Sequence, residues 1–159
     1  MAATATRISI IRCDIVCDVL PVVLDTSVIV AALRSRTGAS NRLLELVAVG
    51  RLQPLVTTPL FLEYEEVLQR PEHRLVTGMT LEDIERFLAA FASAATAVEV
   101  NFRWRPQLSD PDDELVLEAA VNGKAEALVT HNVSDFRDVD RLFGLRVVTP
   151  GELVKELEP

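Results

Sequence analysis

An apolar run that ends in an acid, Val22-Val23-Leu24-Asp25, places the strongest constraint on the fold of this 159-residue chain. The run has the uninterrupted hydrophobic character of a buried parallel strand. A helical pattern follows at once, over residues 26–34. Asp25 is therefore predicted to lie at the carboxyl end of a strand, which is the edge where open α/β sheets bind ligands.

Strand-like and helix-like segments then alternate along the rest of the chain. The candidate strands after the first lie at residues 52–57, 97–100, 125–130 and 145–148, and the clearest later helices lie at 59–69 and 81–92. This alternation predicts one α/β domain with a central, mainly parallel sheet of four to five strands between layers of helices. We assign residues 21–157 to this domain and residues 1–20 to an amino-terminal extension.

Several helix boundaries are predicted from capping residues. Ser40 and Thr80 are expected to cap helices, and Thr58-Pro59 and Thr149-Pro150 to start helices with proline in the first turn. Pro71 is expected to end the helix that begins at Thr58-Pro59.

The amino-acid composition and net charge of the chain argue against several classes of protein. The net charge of −8 argues against a broad basic surface for nucleic acid, although an acidic site neutralised by metal ions is compatible with it. Cys13 and Cys17 are too few for a zinc site. No apolar run is long enough to span a membrane, and Arg12, Asp14 and Asp18 interrupt any secretory leader. We expect a cytoplasmic protein.

Acidic residues follow the predicted strands and are the candidates for chemistry. The first four segments contribute, in order, Asp25, Glu63, the pair Asp110 and Asp113, and Asp135. Because parallel strands end on the same edge of a sheet, these acids are expected to converge. Convergent carboxylates suit Mg²⁺ or Mn²⁺.

Each of these acids also has a purely structural interpretation. Asp110 could cap a helix with Asp113 as its capping-box partner, and Asp135 could be a loop or cap residue. Glu63 could be one more solvated glutamate beside Glu65 and Glu66. Asp25 is the hardest to explain structurally, because an acid directly after a buried strand gains little from solvation.

The ordered set of motifs resembles the PIN domain, and most closely the VapC-like toxins of bacterial toxin–antitoxin pairs. The resemblance covers about residues 21–157 and is carried by four segments: Val22–Ser27, Thr57–Leu68, Asp110–Asp113 and Leu128–Asn132. It implies a compact α/β/α sandwich that acts as a metal-dependent ribonuclease, with Mg²⁺ or Mn²⁺ as cofactor. It also implies an antitoxin partner and commonly a homodimer.

By position, the resemblance matches Asp25, Glu63 and Asp113 to the metal-binding acids and Asp110 to an additional acid before the same helix. Many PIN domains have an aspartate where this chain has Asn132, whereas other toxin-type members have an asparagine there and an aspartate three residues later. Asn132 and Asp135 therefore remain alternatives for the fourth ligand.

Neighbouring polar residues are expected to support these acids. Thr26, Ser27, Thr130 and Asn132 are predicted to orient the carboxylates or to contact phosphate. Arg34 and Arg36 are predicted RNA contacts at the rim, and for His131 a structural role is favoured over general-base catalysis.

Three other functions compete with the nuclease. A phosphohydrolase could use Asp25 as nucleophile, but it often carries a second Asp where this chain has Ser27. A receiver-like phosphoacceptor would need a lysine after a late strand, and Lys124 and Lys155 fit poorly. A catalytically weak PIN-like module that binds RNA or protein stays open because Asn132 is neutral.

Overall fold

The computed structural model describes residues 19–103 and 105–159. Five strands form one sheet: β1 Leu20–Leu24, β2 Leu52–Val56, β3 Thr96–Ala97, β4 Ala127–Val129 and β5 Arg146–Val148. The helices are α1 Thr26–Arg34, α2 Ala39–Ala48, α3 Thr58–Gln69, α4 Pro71–Thr77, α5 Leu81–Ala94, α6 Pro111–Gly123, α7 Val139–Phe143 and α8 Pro150–Leu157, with a 3-10 turn at Val133–Phe136. The predicted α/β fold with a central parallel sheet is confirmed.

The strand order in the sheet is β3-β2-β1-β4-β5. The chain adds β2 and β3 on one side of β1 and then crosses over to add β4 and β5 on the other side, so the order reverses at β1. All neighbours are parallel, and Leu24 of β1 lies in register with Val129 of β4. The carboxyl ends of β1 and β4 therefore lie side by side at the switch point, where a crevice forms in sheets of this kind.

The core surrounds β1 and β4, as expected for central strands covered by helices on both faces. Val22, Val23 and Leu128 have no solvent exposure. The end of α6 packs so closely on the sheet that a Cβ at Gly123 would lie 2.9 Å from Val98 Cγ2. A side chain there would push the helix from the sheet.

Two of the predicted helix starts are confirmed in detail. Thr80 forms a capping box with Asp83 at α5, and Thr149 forms one with Glu152 at α8. In each pair the hydroxyl accepts from a backbone N–H and the acid accepts from the cap residue, so two otherwise unpaired donors are satisfied.

Two other caps differ from prediction by one or two residues. Thr57, rather than Thr58, caps α3, and its side chain accepts a hydrogen bond from Leu60 N at 3.3 Å. Gly38 is the cap residue of α2, so the prediction for Ser40 is wrong. Ser40 is instead buried and hydrogen-bonded to His131, which shows that a tertiary partner can outweigh a local capping preference.

The elements around Pro71 and the outer strands also differ. Pro71 follows the end of α3 but begins α4, because proline is compatible with the first helical turn. The strand predicted at 97–100 is only Thr96–Ala97, since β3 is an edge strand with one neighbour. The predicted extension at residues 1–20 falls largely outside the described residues, as do Cys13 and Cys17. Where the chain is described, no helix has the length and hydrophobicity that a membrane crossing requires.

Candidate functional site

The end of β1 places Asp25 against the end of β4. Asp25 N donates to Val129 O at 2.9 Å, which continues the strand pairing past Leu24. The Asp25 side chain is 6% exposed, and its Oδ2 accepts hydrogen bonds from Ser27 Oγ and Thr130 Oγ1, both at 2.6 Å. Among the described residues nothing donates to Oδ1, so this oxygen is left for a ligand.

Helix α3 brings Glu63 to the same edge. Thr26 Oγ1 donates to Glu63 Oε1 at 2.6 Å, and the buried hydroxyl of Tyr64 donates to the carbonyl of Leu24. The first contact joins α3 to the start of α1, and the second joins α3 to the end of β1. Within the described part of the chain, the other oxygen, Glu63 Oε2, is buried without a hydrogen-bond partner. A buried oxygen without a partner is costly, and a cation at this position would remove the cost.

Burial and neighbouring charge both disfavour ionisation of Glu63. The pKa of Glu63 is raised to about 7, chiefly by burial and also by the negative charges of Asp112, Asp25 and Asp113, while the hydrogen bond from Thr26 opposes the rise. These interactions show that the acids lie within electrostatic reach of one another. A nearby positive ion would favour the release of this proton.

The start of α6 supplies the outer acids. Asp110 is the cap residue of α6 and accepts a hydrogen bond from Asp112 N at 2.9 Å. The capping box expected between Asp110 and Asp113 is not formed. The pKa of Asp113 is raised to about 6, chiefly by burial and also by the negative charges of Asp25, Asp110 and Asp135. Asp113 thus belongs to the acid cluster.

A cleft of about 730 Å³ opens beside these outer acids. Its lining includes Asp110, Asp113, Asp135 and Arg137. Asp25 and Glu63 are not part of the lining, whereas Asp113, which interacts electrostatically with Asp25, is.

The residues present suit a hard divalent cation. Asp25 Oδ1 and Glu63 Oε2 are uncommitted oxygens, and no arginine or lysine of the described residues forms an ion pair with Asp25, Glu63 or Asp113. Across residues 19–103 and 105–159, however, no three His, Cys, Asp or Glu side chains form a ready-made metal-binding group. Small side-chain movements toward an ion are therefore required, and carboxylate oxygens are the donors that Mg²⁺ and Mn²⁺ prefer.

The two alternatives for the fourth ligand occupy different positions. Asp135 lies in the 3-10 turn, lines the cleft and raises the pKa of Asp113. Asn132 is exposed, and its backbone N–H donates to Thr130 Oγ1 at 2.9 Å. This hydrogen bond orients the Thr130 hydroxyl, which in turn donates to Asp25.

The predicted basic contacts lie at the other end of α1, about 12 Å along the helix from Asp25. Arg34 Nη2 lies 2.9 Å from His73 Nδ1 of α4, and Arg36 is exposed in the following turn. His131 Nε2 lies 2.9 Å from Ser40 Oγ, a contact that fits the structural role predicted for this histidine.

One face of α6 carries polar residues that sequence reasoning missed. Glu114, only 4% exposed, accepts hydrogen bonds from Gln107 N at 2.5 Å and Leu108 N at 2.8 Å. Glu118, equally buried, binds Arg105 through two hydrogen bonds of 2.7 and 3.0 Å. Their spacing of one helical turn was the available signal. They fasten the segment that leads into Asp110 and the cleft.

Arg137 was also missed, although it stands two residues after Asp135 in the sequence. Only the fold shows that it lines the cleft.

Comparison with known proteins agrees with this geometry. The family model of the PIN domain matches residues 21–134, which is more than half of the chain. The chain belongs to the PIN-domain family. The matched range includes Asp25, Glu63, Asp110 and Asp113, and it ends just before Asp135. The resemblance inferred from the sequence is thereby confirmed.

Solved structures share the PIN fold at low sequence identity. A chain of the crystal structure of VapBC2 from Rickettsia felis bound to a DNA fragment from their promoter is 17% identical, with a TM-score of 0.57 over 82% of this chain and 98% of that one. A chain of VapBC-1 from nontypeable Haemophilus influenzae is 16% identical, with a TM-score of 0.57 over 83% and 99%. No curated protein sequence matches significantly.

Proposed function

We propose that this PIN-domain protein is an endoribonuclease that hydrolyses RNA phosphodiester bonds with Mg²⁺ or Mn²⁺. The observation that carries the proposal is the cluster of Asp25, Glu63 and Asp113 at the switch point, in which one buried and two half-buried carboxylates repel one another and pair with no arginine or lysine of the described residues. A fold does not gather such charges for stability, because each raises the cost of ionising the others.

The residues have separate tasks in this proposal. Asp25 Oδ1, Glu63 Oε2 and a carboxylate oxygen of Asp113 would hold the cation, and Asp110 and Asp135 would complete its surroundings from the cleft. A bound divalent cation supplies a Lewis acid, which activates water and neutralises charge on the phosphate. Asp25 is held in place for this task by Ser27 and Thr130, and Glu63 by Thr26.

Metal dependence follows from the charges of the site itself. Without a cation the acids along the cleft would repel the phosphates of RNA, since both are negative and lie close together. With a bound cation the same acids would hold the RNA strand through the metal ion. The protein thus needs no broad basic surface, which agrees with its net charge of −8.

Further contacts and partners extend the proposal. Arg34 and Arg36 are proposed to bind phosphates of the RNA away from the cut bond, and their joint replacement by alanine should weaken binding and flatten its salt dependence. The likeness of fold to chains of VapBC structures supports a toxin role with an antitoxin partner. A homodimer is proposed because the resemblance to the VapC-like toxins implies one.

The test is cleavage of a mixed RNA pool by purified protein with Mg²⁺ or Mn²⁺, compared with EDTA. Asp25→Asn is the decisive variant, and Glu85→Gln, an exposed acid on α5, is its control. We expect cutting by the wild type and the control, and none with EDTA or Asp25→Asn.

Cleavage by Asp25→Asn at the wild-type rate would overturn the mechanism. A folded wild-type protein that neither cuts RNA nor binds Mn²⁺ would instead favour a PIN-like binding module. The neutral Asn132 and the lack of a ready-made three-ligand group within the described residues are the observations that keep this second candidate.

A further inference from the structure

The cleft is lined by several residues that metal binding does not explain. Arg137 and Ser134 line it together with Val139, Leu142 and Phe143 of α7, whose side chains form an apolar wall. The leucine is 54% exposed, although its neighbour Val139 is buried in the core. An apolar wall beside a guanidinium is a combination suited to a ligand that has both a flat apolar part and an anionic part.

Arg137 is available for such a ligand. Its neighbour Asp138 accepts from Arg141 at 3.3 Å, and Arg146 on β5 is paired with Glu156 at 2.5 Å. Within the described residues Arg137 itself forms no ion pair, although Asp135, Asp138 and Asp140 are close to it in sequence. The nearby arginines are thus occupied by carboxylates, whereas the one that lines the cleft is not.

The volume agrees with a ligand larger than a metal ion. The cleft of about 730 Å³ lies within the range of small-molecule sites, about 300–1,000 Å³. It adjoins Asp113, so a ligand in the cleft would extend directly from the acid cluster. Polar atoms of Gln107, Ser109 and Ser134 on the rim could hydrogen-bond to such a ligand.

We propose that this cleft is a nucleotide subsite of the nuclease, in which Arg137 binds an RNA phosphate next to the scissile one and the exposed side chain of Leu142 contacts the base. The inference rests on the proposed function for its substrate, but it concerns binding and can be tested without cleavage. The acids then hold the cation, and Arg137 orients the strand.

The experiment measures binding of a short fluorescent single-stranded RNA in Ca²⁺ over a series of salt concentrations. Arg137→Ala is compared with Arg141→Ala, which removes an exposed arginine of α7 already paired with Asp138. We expect Arg137→Ala to weaken binding about tenfold and to reduce the slope of log K against log salt by about 0.7, the value for one phosphate of a single strand. Arg141→Ala should leave both quantities near their wild-type values.

A second variant separates the base contact from the phosphate contact. Leu142→Ser should weaken RNA binding about threefold to tenfold without changing the salt slope, because it removes an apolar contact and no charge. Val49→Ser, which removes another exposed apolar side chain following α2, should have no effect. Because Arg137 and Leu142 are exposed, circular dichroism and thermal unfolding should match the wild type.

The outcomes distinguish the subsite from the nuclease. Equal affinity and equal slope for Arg137→Ala and Arg141→Ala would overturn the phosphate contact, whether or not the wild type cuts RNA. An unchanged affinity for Leu142→Ser would overturn the base contact. A wild-type protein that shows the Arg137-dependent slope and cleaves nothing in Mg²⁺ or Mn²⁺ would support the subsite and refute the proposed nuclease.

Discussion

The inner and outer parts of the acid cluster are built differently. The inner acids, Asp25 and Glu63, each use one oxygen to accept side-chain hydroxyl hydrogen bonds of 2.6 Å. The outer acids, Asp110, Asp113 and Asp135, line an open cleft, and among the described residues no hydroxyl from another element donates to them.

The inner acids help to hold the fold together, whereas the outer acids are available for chemistry. Hydroxyl bonds to the inner acids join β1 to β4 and α1 to α3, so these acids are tied to the framework. The outer acids repel one another and their neighbours, and little compensates them. We therefore expect changes to the inner part to lower stability and activity together. Changes to the outer part should lower activity alone, except at Asp110, which also caps α6.

The largest effect is expected for Asp113→Asn. Loss of this charge should lower RNA cleavage by about 10²–10³-fold, comparable to removal of one electrostatic contact in other active sites. The free energy of unfolding should stay equal or rise, because repulsion from Asp25, Asp110 and Asp135 is relieved. Cleavage assays and urea unfolding measure the two quantities, with Glu85→Gln as control. A marked loss of stability would contradict the distinction between inner and outer acids.

Thr130→Val should affect both quantities. It removes a donor to Asp25 and leaves Asn132 N without its acceptor. We expect a loss of about 1.5–3 kcal/mol of unfolding free energy and a fall in cleavage of about 10–100-fold. Thr96→Val on the exposed edge strand β3 is the matched control. If Thr130→Val lowers cleavage but not stability, the hydroxyl acts only on the reaction.

The pH dependence of stability tests the repulsion directly. The folded protein holds protons on Glu63 up to about pH 7 and on Asp113 up to about pH 6, above the usual pKa values of 4.5 and 3.8. Folded protein therefore binds more protons than unfolded protein, so stability should fall as pH rises from about 4 to 7. The effect should amount to several °C in Tm, since both acids are partly exposed to solvent.

Thermal unfolding in EDTA at pH 5 and pH 8 measures this dependence. Mg²⁺ or Mn²⁺ should raise Tm more at pH 8 than at pH 5, because ionised carboxylates bind the cation. Glu63→Gln should flatten the profile, whereas Glu72→Gln on α4 should preserve it. Equal profiles of Tm against pH for the two variants would show that Glu63 does not interact with the other acids of the cluster.

The smallest effect is expected at Asp110, where a cap and a charge are combined. Asp110→Ala should cost about 0.5–2 kcal/mol of stability, because Asp112 N loses its acceptor. Asp110→Ser should restore the cap but not the charge. If both variants lower cleavage equally, the carboxylate contributes to the reaction. Full activity of Asp110→Ser would show that Asp110 acts only as a helix cap.

Much of the inner site was predictable because its signals are local. Asp25 follows a buried strand, and hydroxyl residues adjoin it in the sequence, so the strand–acid–helix order marked the place. The acids that open α6 were predictable for the same reason. The specific pairings were not, since a sequence does not show that Thr26 reaches Glu63 or that Thr130 reaches Asp25.

The outer wall was less predictable because tertiary contacts create it. The short helices α4 and α7 begin at Pro71 and Val139, where no long hydrophobic period reveals them. Glu114 and Glu118 look like solvated helix residues until the segment before Asp110 is seen to cover them. Arg137 resembles any surface arginine until its neighbours prove to be paired with carboxylates.

The bond between Thr130 and Asp25 joins residues that are 105 positions apart. Contacts at such separation form late and slowly, because a long loop must close before they contribute. While the chain is being synthesised, Asp25 leaves the ribosome long before Thr130 exists to orient it. The site is therefore incomplete while the growing polypeptide is still close to ribosomal RNA. The complete site forms only after β4 has joined the sheet.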